Sequence, residues 1–264
     1  MSAGRTRLGW AVAVAGLLAS CGGGGSSSPA GTTPTTPDTT TYANSIVVGA
    51  TAPQSIMYAA ATAASQATVT NTVASPLLPL GTTPVLAEHV DASLPGLRVV
   101  CVSGHGETTN VVPDVNLGVI AESAAVLFDT GWHSVDAMGT WSTAVASGGA
   151  WLGWENCGVK PEGAPSPSSR LVPTAAGGYT EDVYDGNPGT TFQAIRRNVT
   201  PIEVAAMLSS GGLLTLDDPL RPLQLLLRAY ADATGHVVFV QSGTPASGAP
   251  ASARGFVALY VPGP

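Results

Sequence analysis

Two histidines and three carboxylates are the side chains of this sequence best suited to chemistry. His105 and Glu107 follow one predicted strand, and Asp129, His133 and Asp136 follow another. If the two strands are neighbours, both groups lie at one edge of a sheet. His105, Glu107 and His133 would then suit Zn²⁺ with an open fourth position, and a histidine oriented by Asp129 or Asp136 would serve as a general base. The alternative is a set of solvated or hydrogen-bonded loop residues.

The segment Phe128-Asp129-Thr130-Gly131 follows an apolar run and resembles the catalytic turn of aspartic proteases. The resemblance implies that Asp129 shares a proton with a second aspartate. Because the sequence has no second Asp-Thr-Gly or Asp-Ser-Gly, this activity would require a symmetric homodimer. The alternative is an Asx-type turn at the end of the strand.

Four tryptophans lie close together in the sequence, at Trp132, Trp141, Trp151 and Trp154. Exposed indole faces bind sugar rings or apolar partners, so Trp132, Trp141 and Trp151 are candidate binding residues. Trp151 and Trp154 are an odd number of residues apart and therefore point to opposite faces of a strand. The alternative is that the tryptophans pack in the core beside a disulfide.

Short β-branched strands bounded by glycines and turn residues would position these side chains. Residues 97–103 precede His105, and residues 124–128 precede Asp129. Further strands are predicted at 44–50, 140–145, 150–155, 179–184, 236–241 and 255–261. The last two strands form a predicted hairpin.

Three segments have helical patterns. Residues 52–68 are rich in alanine, and Thr200 to Glu203 form a capping box that opens a helix through about Ser209. Residues 218–235 place leucines on one helical face. The order of strands, then helices, then strands predicts an α+β fold with a mostly antiparallel sheet, two or three helices and one disulfide.

Charged side chains are sparse, with 10 Lys and Arg against 17 Asp and Glu in 264 residues. Nucleic-acid binding requires clustered basic residues, and the one adjacent basic pair is Arg196-Arg197. Nucleic acid is therefore not an expected partner. The sequence also lacks a polybasic patch for anionic lipids. Abundant Gly, Pro, Ser and Thr suit a turn-rich, extracytoplasmic protein.

The first residues have the pattern of a leader. Arg5 and Arg7 precede the apolar residues 8–18, which are too short for a bilayer span but typical of a signal peptide. The following Leu-Ala-Ser-Cys, 18–21, resembles the lipobox of bacterial lipoproteins. The resemblance implies cleavage before Cys21 and lipid attachment to its sulfur. The alternative is an ordinary secretory signal with a chance cysteine.

Residues 21–43 contain Gly, Ser, Thr and Pro with a single charge, and they predict a flexible tether. The predicted organisation is therefore a leader at 1–20, a lipidated tether at 21–43 and a single globular domain at 44–264. In the resembled class, an aspartate after the cysteine favours the inner membrane. Gly22 at that position predicts the outer membrane, with the protein facing the periplasm or the exterior.

Two cysteines remain after Cys21, at Cys101 and Cys157. Because thiols tend to be oxidised outside the cytoplasm, the sequence predicts a Cys101–Cys157 disulfide, with a stabilisation of about 4 kcal/mol from loop closure. The alternatives are two buried free thiols or a nucleophile. Neither cysteine belongs to a CxxC motif or lies beside Lys or Arg, so nothing nearby favours a thiolate.

The combined prediction is a lipid-anchored envelope lipoprotein with a non-catalytic binding or structural role. Its partners would be the membrane, through the lipid, and an unknown envelope partner or small ligand, with no cofactor. The alternative is an envelope hydrolase that uses the 105–136 region, with or without zinc.

Overall fold

The structure is a computed structural model of the 264-residue chain. It describes residues 38–47, 50, 52–73, 78, 80–102, 124–155, 167, 169–184, 194–215, 223–248 and 255–263. Residues Thr36–Pro264 cluster as one compact unit. The residues Cys21, His105, Glu107 and Cys157, which carry predictions made above, lie outside the described residues.

Six antiparallel strands close into a barrel. They are β1 Thr39–Val47, β2 Gln54–Ala59, β3 Thr68–Asn71, β4 Gly81–His89, β5 Leu97–Val102 and β6 Ala124–Phe128. Each strand pairs with the next, and β6 pairs with β1 to close the barrel. Side chains alternate along β5, so that Val100 and Val102 point inward while Val99 and Cys101 point outward.

Nine antiparallel strands form a second, half-barrel sheet. They are β7 His133–Val135, β8 Trp151–Glu155, β9 Ser169–Pro173, β10 Tyr179–Tyr184, β11 Ala194–Val199, β12 Leu213–Thr215, β13 Leu223–Ala231, β14 Val237–Pro245 and β15 Phe256–Pro262. The order is β11-β10-β9-β8-β15-β14-β13-β12, and β7 pairs with the far end of β13. The predicted hairpin of the last two strands is confirmed by the pairing of β14 with β15.

Two helices are present in the described part of the chain. α1, Ala137–Ser147, begins at the N-cap Asp136. α2, Pro201–Leu208, begins with the predicted capping box, because Thr200 and Glu203 exchange both of its hydrogen bonds. Neither described helix combines the length and the apolar character that a membrane crossing requires.

Apolar side chains of the described residues are buried in three clusters. The first fills the barrel and includes Val85 and Leu127. The second lies between the outside of the barrel and one face of the sheet, where Phe128 stacks on Tyr230 with ring centroids 4.3 Å apart. The third lies between the other face of the sheet and the helices, and includes Met207. The layers are therefore barrel, sheet and helices.

The predicted α+β class is wrong, because the fold is mostly antiparallel β, with a closed barrel and a half-barrel sheet. The helix predicted at 52–68 is instead β2 and β3, and residues 223–231 of the helix predicted at 218–235 are β13. β13 is packed between the barrel and the helices, so apolar side chains occur on both of its faces and its leucines imitate a helical spacing. The strand predicted at 140–145 belongs to α1.

The predicted disulfide is not found as a pair among the described residues. Cys101 is buried on β5 with 1% of its surface exposed, and it takes part in a disulfide. Its predicted partner, Cys157, lies outside the described residues. The Cys101–Cys157 pairing therefore stays a prediction.

The first described strand begins inside the segment that the sequence assigns to the tether. β1 starts at Thr39, inside the range 21–43 that was assigned to the tether, and Thr39 pairs with Ala59 of β2. Tyr42, in the same range, is buried in the barrel with 6% of its surface exposed. The threonines Thr39, Thr40 and Thr41, whose composition suggests a tether, are the exposed first residues of this barrel strand.

Candidate functional site

Asp129 holds a turn at the end of β6. Its carboxylate accepts a hydrogen bond from the N–H of Gly131 at 2.8 Å, and its own N–H donates to the carbonyl of Gly96 at 3.0 Å. A Cβ added at Gly96 would lie 2.1 Å from Asp129 Oδ2, so only glycine allows this close approach. The structure therefore has the Asx-type turn that was the alternative to a protease turn.

The other residues of the predicted histidine and carboxylate site do not form a cluster in the described residues. Asp136 accepts hydrogen bonds at 3.1 and 3.2 Å from two N–H groups in the first turn of α1. His133 is exposed on β7. The described residues contain no group of three or more His, Cys, Asp or Glu that is placed to hold a metal ion. Because His105 and Glu107 lie outside them, the zinc site stays a prediction.

The tryptophans of the predicted binding site are core residues. Trp132, Trp141 and Trp151 are 1%, 4% and 7% exposed. The indole N–H groups of Trp132 and Trp141 donate to backbone carbonyls at 2.9 and 2.8 Å. Trp151 packs toward the helices and Trp154 toward the barrel, which confirms that they point to opposite faces. Rings buried to this degree offer no face to a ligand.

A different set of polar side chains lies inside the barrel. We name it the Arg98 cluster, after its central residue, and it consists of Tyr42 on β1, Tyr58 on β2, Glu88 on β4 and Arg98 on β5. Arg98 is the second residue of β5, while Tyr58 and Glu88 each precede the last residue of their strands. Because neighbouring strands are antiparallel, these positions meet at one end of the barrel.

A β-bulge places Glu88 on the inner face. Val85 pairs with Val102 and Ala87 with Cys101, so Leu86 is an extra residue between two consecutive partners. Glu88 then pairs with the inward-pointing Val100. If Leu86 were paired with Cys101 in a regular ladder, Glu88 would pair with Val99 and lie on the outer face of β4.

The four side chains form a connected network. Arg98 Nη1 donates to Glu88 Oε2 and to Tyr58 Oη, the latter at 3.1 Å, and the Tyr58 hydroxyl donates to Glu88 Oε2 at 2.8 Å. The Arg98 guanidinium carbon lies 4.2 Å from the centroid of the Tyr58 ring, within the range of a cation–π contact. Tyr42 meets the Tyr58 ring edge-on, with centroids 6.3 Å apart.

Solvent reaches the charged pair but not the rings below it. The side chains of Arg98 and Glu88 are 20% and 37% exposed, whereas Tyr42 and Tyr58 are 6% and 4% exposed. Arg98 Nε is buried without a hydrogen-bond partner in the described part of the chain. The network is therefore a charged, solvent-accessible pair on a buried aromatic floor.

The environment fixes the protonation of two members of the cluster. Burial, helped by the hydrogen bond to Glu88, raises the pKa of Tyr58 to about 12, so its hydroxyl stays a donor at physiological pH. Burial alone would lower the pKa of Arg98, but its hydrogen bonds to Tyr42 and Glu88 outweigh this effect and raise that pKa. Arg98 thus stays a cation.

A second polar network lies between the sheet and α2. The Tyr260 hydroxyl is 2.8 Å from Glu181 Oε1 and 3.0 Å from Gln241 Oε1, and Gln241 Nε2 is 3.3 Å from Met207 Sδ on α2. Glu181, Gln241 and Tyr260, which we call the buried network, are 5%, 6% and 3% exposed. Solvent does not reach this network.

One histidine lies between the barrel and the sheet. His89, the last residue of β4, stacks on Trp154 of β8 with ring centroids 3.4 Å apart and an angle of 12° between the rings. Burial lowers the pKa of His89, and the charge of Asp91 opposes this effect. His89 Nε2 and Trp154 Nε1 are buried without hydrogen-bond partners among the described residues.

No family model, no curated protein and no solved structure matches this chain. Of the two polar networks described inside the barrel and under α2, the Arg98 cluster is the one that joins charge, hydrogen-bonding capacity and solvent access. Its signal in the sequence is Arg98 itself, a single charge in the apolar strand segment 97–102.

Proposed function

We propose that this chain is a lipid-anchored cell-envelope protein with a non-catalytic binding role, and that its ligand binds at the Arg98 cluster. The lipobox resemblance at 18–21 supports the anchor. The ion pair of Arg98 and Glu88 at the accessible end of the barrel supports the binding role.

The ion pair supports a binding role because placing two charged side chains inside a barrel costs desolvation free energy that a purely structural role would not require. The other inward-pointing residues of the described barrel strands are mostly apolar, such as Val100, Val102 and Leu127. Apolar side chains at positions 88 and 98 would fill the same space without the cost of taking two charges out of water. Mouths of barrels are also frequent ligand sites. A pair that faces solvent on one side is placed to exchange water for ligand groups.

The carboxylates near the predicted catalytic turn favour a non-catalytic role. Asp129 accepts from its own turn and Asp136 caps α1, so both carboxylates have structural partners. The hydrolase alternative depends on His105 and Glu107, and no observation on the described residues favours it.

Native mass spectrometry of the full chain tests the binding role. The chain would be expressed in a two-membrane bacterium and extracted from its envelope in mild detergent, next to the variants Arg98→Met and Glu88→Gln. The matched control is Arg196→Met, which removes an exposed arginine paired with Asp182 on the other sheet. A bound mass on the native chain and the control, lost from both cluster variants, supports the proposal. Equal spectra for all four proteins contradict it.

Fractionation of cells tests the anchor. The full chain is expected in the membrane fraction with a diacylglycerol mass on Cys21, and Cys21→Ala is expected to lose both. A Cys21→Ala chain that keeps the membrane location would refute a lipid anchor at this residue.

A further inference from the structure

We infer that the ligand of the Arg98 cluster is a neutral, polyhydroxylated molecule, of the chemical class of an uncharged sugar chain. This inference rests on the proposed function and specifies the ligand of the same site. It follows from the charge balance of the pair, from its donor and acceptor arrangement and from the residues around the barrel end.

The charge balance of the pair disfavours an ionic ligand. Arg98 and Glu88 neutralise each other, and both also contact Tyr58. An anionic ligand would have to displace Glu88 from Arg98, and a cationic ligand would have to displace Arg98 from Glu88. Either exchange leaves one charge of the protein without its ion-pair partner at a place that solvent reaches only in part, which is unfavourable. A neutral ligand leaves the ion pair intact.

Hydroxyl groups match the groups that the pair presents. Arg98 offers only donors and the Glu88 carboxylate offers only acceptors, and the two are in direct contact. A hydroxyl group both donates and accepts. Two adjacent hydroxyls on a ring can therefore accept from the guanidinium and donate to the carboxylate at the same time. Repeated adjacent hydroxyls are characteristic of sugars.

The segments at this end of the barrel carry no basic side chain. Residues 60–67 connect β2 to β3, and residues 90–96 connect β4 to β5; the charged side chains in these loops, just before β1 and in the turn after β6 are Asp91, Asp38 and Asp129. Ser65 and Ser93 in these loops are exposed. A site for an anion would be expected to carry basic residues at its rim, which attract the ligand over a distance.

The closure of the barrel disfavours an extended peptide as the ligand. Peptides commonly add a strand to a free sheet edge. β1 to β6 pair in a closed ring, so the barrel has no free edge at the Arg98 cluster. A ligand at this end must be recognised by side chains, as the ion pair does.

Isothermal titration of the purified full chain in detergent tests the ligand class. The neutral probes are maltohexaose, cellohexaose, chitohexaose and mannohexaose; the other probes are hexagalacturonate as the anion, a glucosamine hexamer as the cation and hexaglycine as the peptide. We expect at least one neutral sugar to bind, and we expect Glu88→Gln to weaken it about tenfold, since the loss of hydrogen bonds to a charged group has this size. The control Asp182→Asn, which neutralises an ion-paired carboxylate outside the barrel, should leave binding unchanged.

Each other outcome overturns the inference. Tighter binding of the anion, further strengthened by Glu88→Gln, would assign the site to anions. Binding of the peptide or the cation alone would exclude the sugar class. If no probe binds while the native chain still carries a mass that depends on Arg98, the ligand class is wrong and the binding role stands. If that mass is missing too, both proposals fail.

Discussion

The barrel and the half-barrel sheet both contain polar side chains in their interiors, but these side chains differ in their exposure to solvent. In the barrel, Arg98 and Glu88 are 20% and 37% exposed above two buried tyrosines. In the sheet, Glu181 and Tyr260 are 5% and 3% exposed and lie under α2. Both networks place a tyrosine hydroxyl on a carboxylate oxygen at 2.8 Å.

The difference separates two uses of a polar interior. A fully buried network must satisfy its groups within the protein, and it then specifies one packing of sheet and helix. A network that reaches solvent at one side keeps hydrogen-bonding capacity for a ligand. The same pair of groups, tyrosine and glutamate, is therefore closed to solvent in the sheet and open to solvent on the carboxylate side in the barrel.

Removal of Trp132 should have the largest effect on stability, because this ring lies in the cluster that joins the two regions. Trp132→Ala is expected to lower the free energy of unfolding by about 3–5 kcal/mol. Thermal unfolding followed by circular dichroism should show one transition with a lower midpoint. The control Met138→Ala, at an exposed position on α1, should change stability by less than about 0.5 kcal/mol. Two separate transitions, with only one displaced, would show that barrel and sheet unfold independently.

The second-largest effect on stability should come from a substitution in the buried network. Tyr260→Phe leaves Glu181 and Gln241 without their shared hydroxyl at a place that water does not reach. We expect a loss of about 1–3 kcal/mol in urea unfolding. A loss below about 0.5 kcal/mol would mean that Glu181 and Gln241 do not depend on this hydroxyl for their hydrogen bonds.

The matched substitution in the barrel should cost less. Tyr58→Phe removes the hydroxyl from Glu88, but Glu88 keeps Arg98 and reaches solvent. The expected loss is below about 1 kcal/mol, since an accessible carboxylate replaces the lost bond with water. If Tyr58→Phe destabilises the protein more than Tyr260→Phe, the distinction between an accessible and a buried network is wrong.

The smallest effect should be a pH dependence of the stability, which arises at His89 between the barrel and the sheet. Burial holds the pKa of His89 below its ordinary value of about 6.5. The unfolded chain therefore binds more protons at this residue, and its contribution to stability is present above about pH 6.5 and is lost as the pH falls below that value. Unfolding midpoints at pH 7.5 and 5.5 should differ less for His89→Phe than for the native chain.

The exposed His133→Gln serves as the control for this measurement. A native chain that becomes more stable at pH 5.5 because of His89 would contradict the prediction. That result would mean that stacking of the imidazolium on Trp154 outweighs the cost of burying its charge.

Local signals in the sequence predicted local structure. The capping box at Thr200 and Glu203 opens α2, and the strands predicted at 97–103 and 124–128 are β5 and β6 to within a residue or two, for the residues that the structure describes. These elements are specified by side chains that act within a few positions of each other. Such patterns do not depend on the rest of the fold.

The architecture could not be predicted in the same way, because it depends on what each strand packs against. In β2, buried Ile56 and Tyr58 alternate with exposed Ser55 and Met57, but this short signal is hidden in an alanine-rich segment that favours a helix. β13 is covered on both faces and shows no alternation. Arg98 was detectable as a lone charge in an apolar strand, whereas its partner Glu88 was not, because its orientation depends on a bulge.

The extra residue in β4 also affects how this protein can change length during evolution. Val85, Ala87 and Glu88 pair with three consecutive residues of β5, and the exposed Leu86 is the residue left over. A descendant that lost Leu86 would have a regular ladder and would still direct Glu88 at Arg98. Loss of a residue from the opposite segment of β5, between Arg98 and Val102, would instead turn Arg98 out of the barrel. A gap in β4 and a gap in β5 of the same size therefore have opposite consequences for the ion pair.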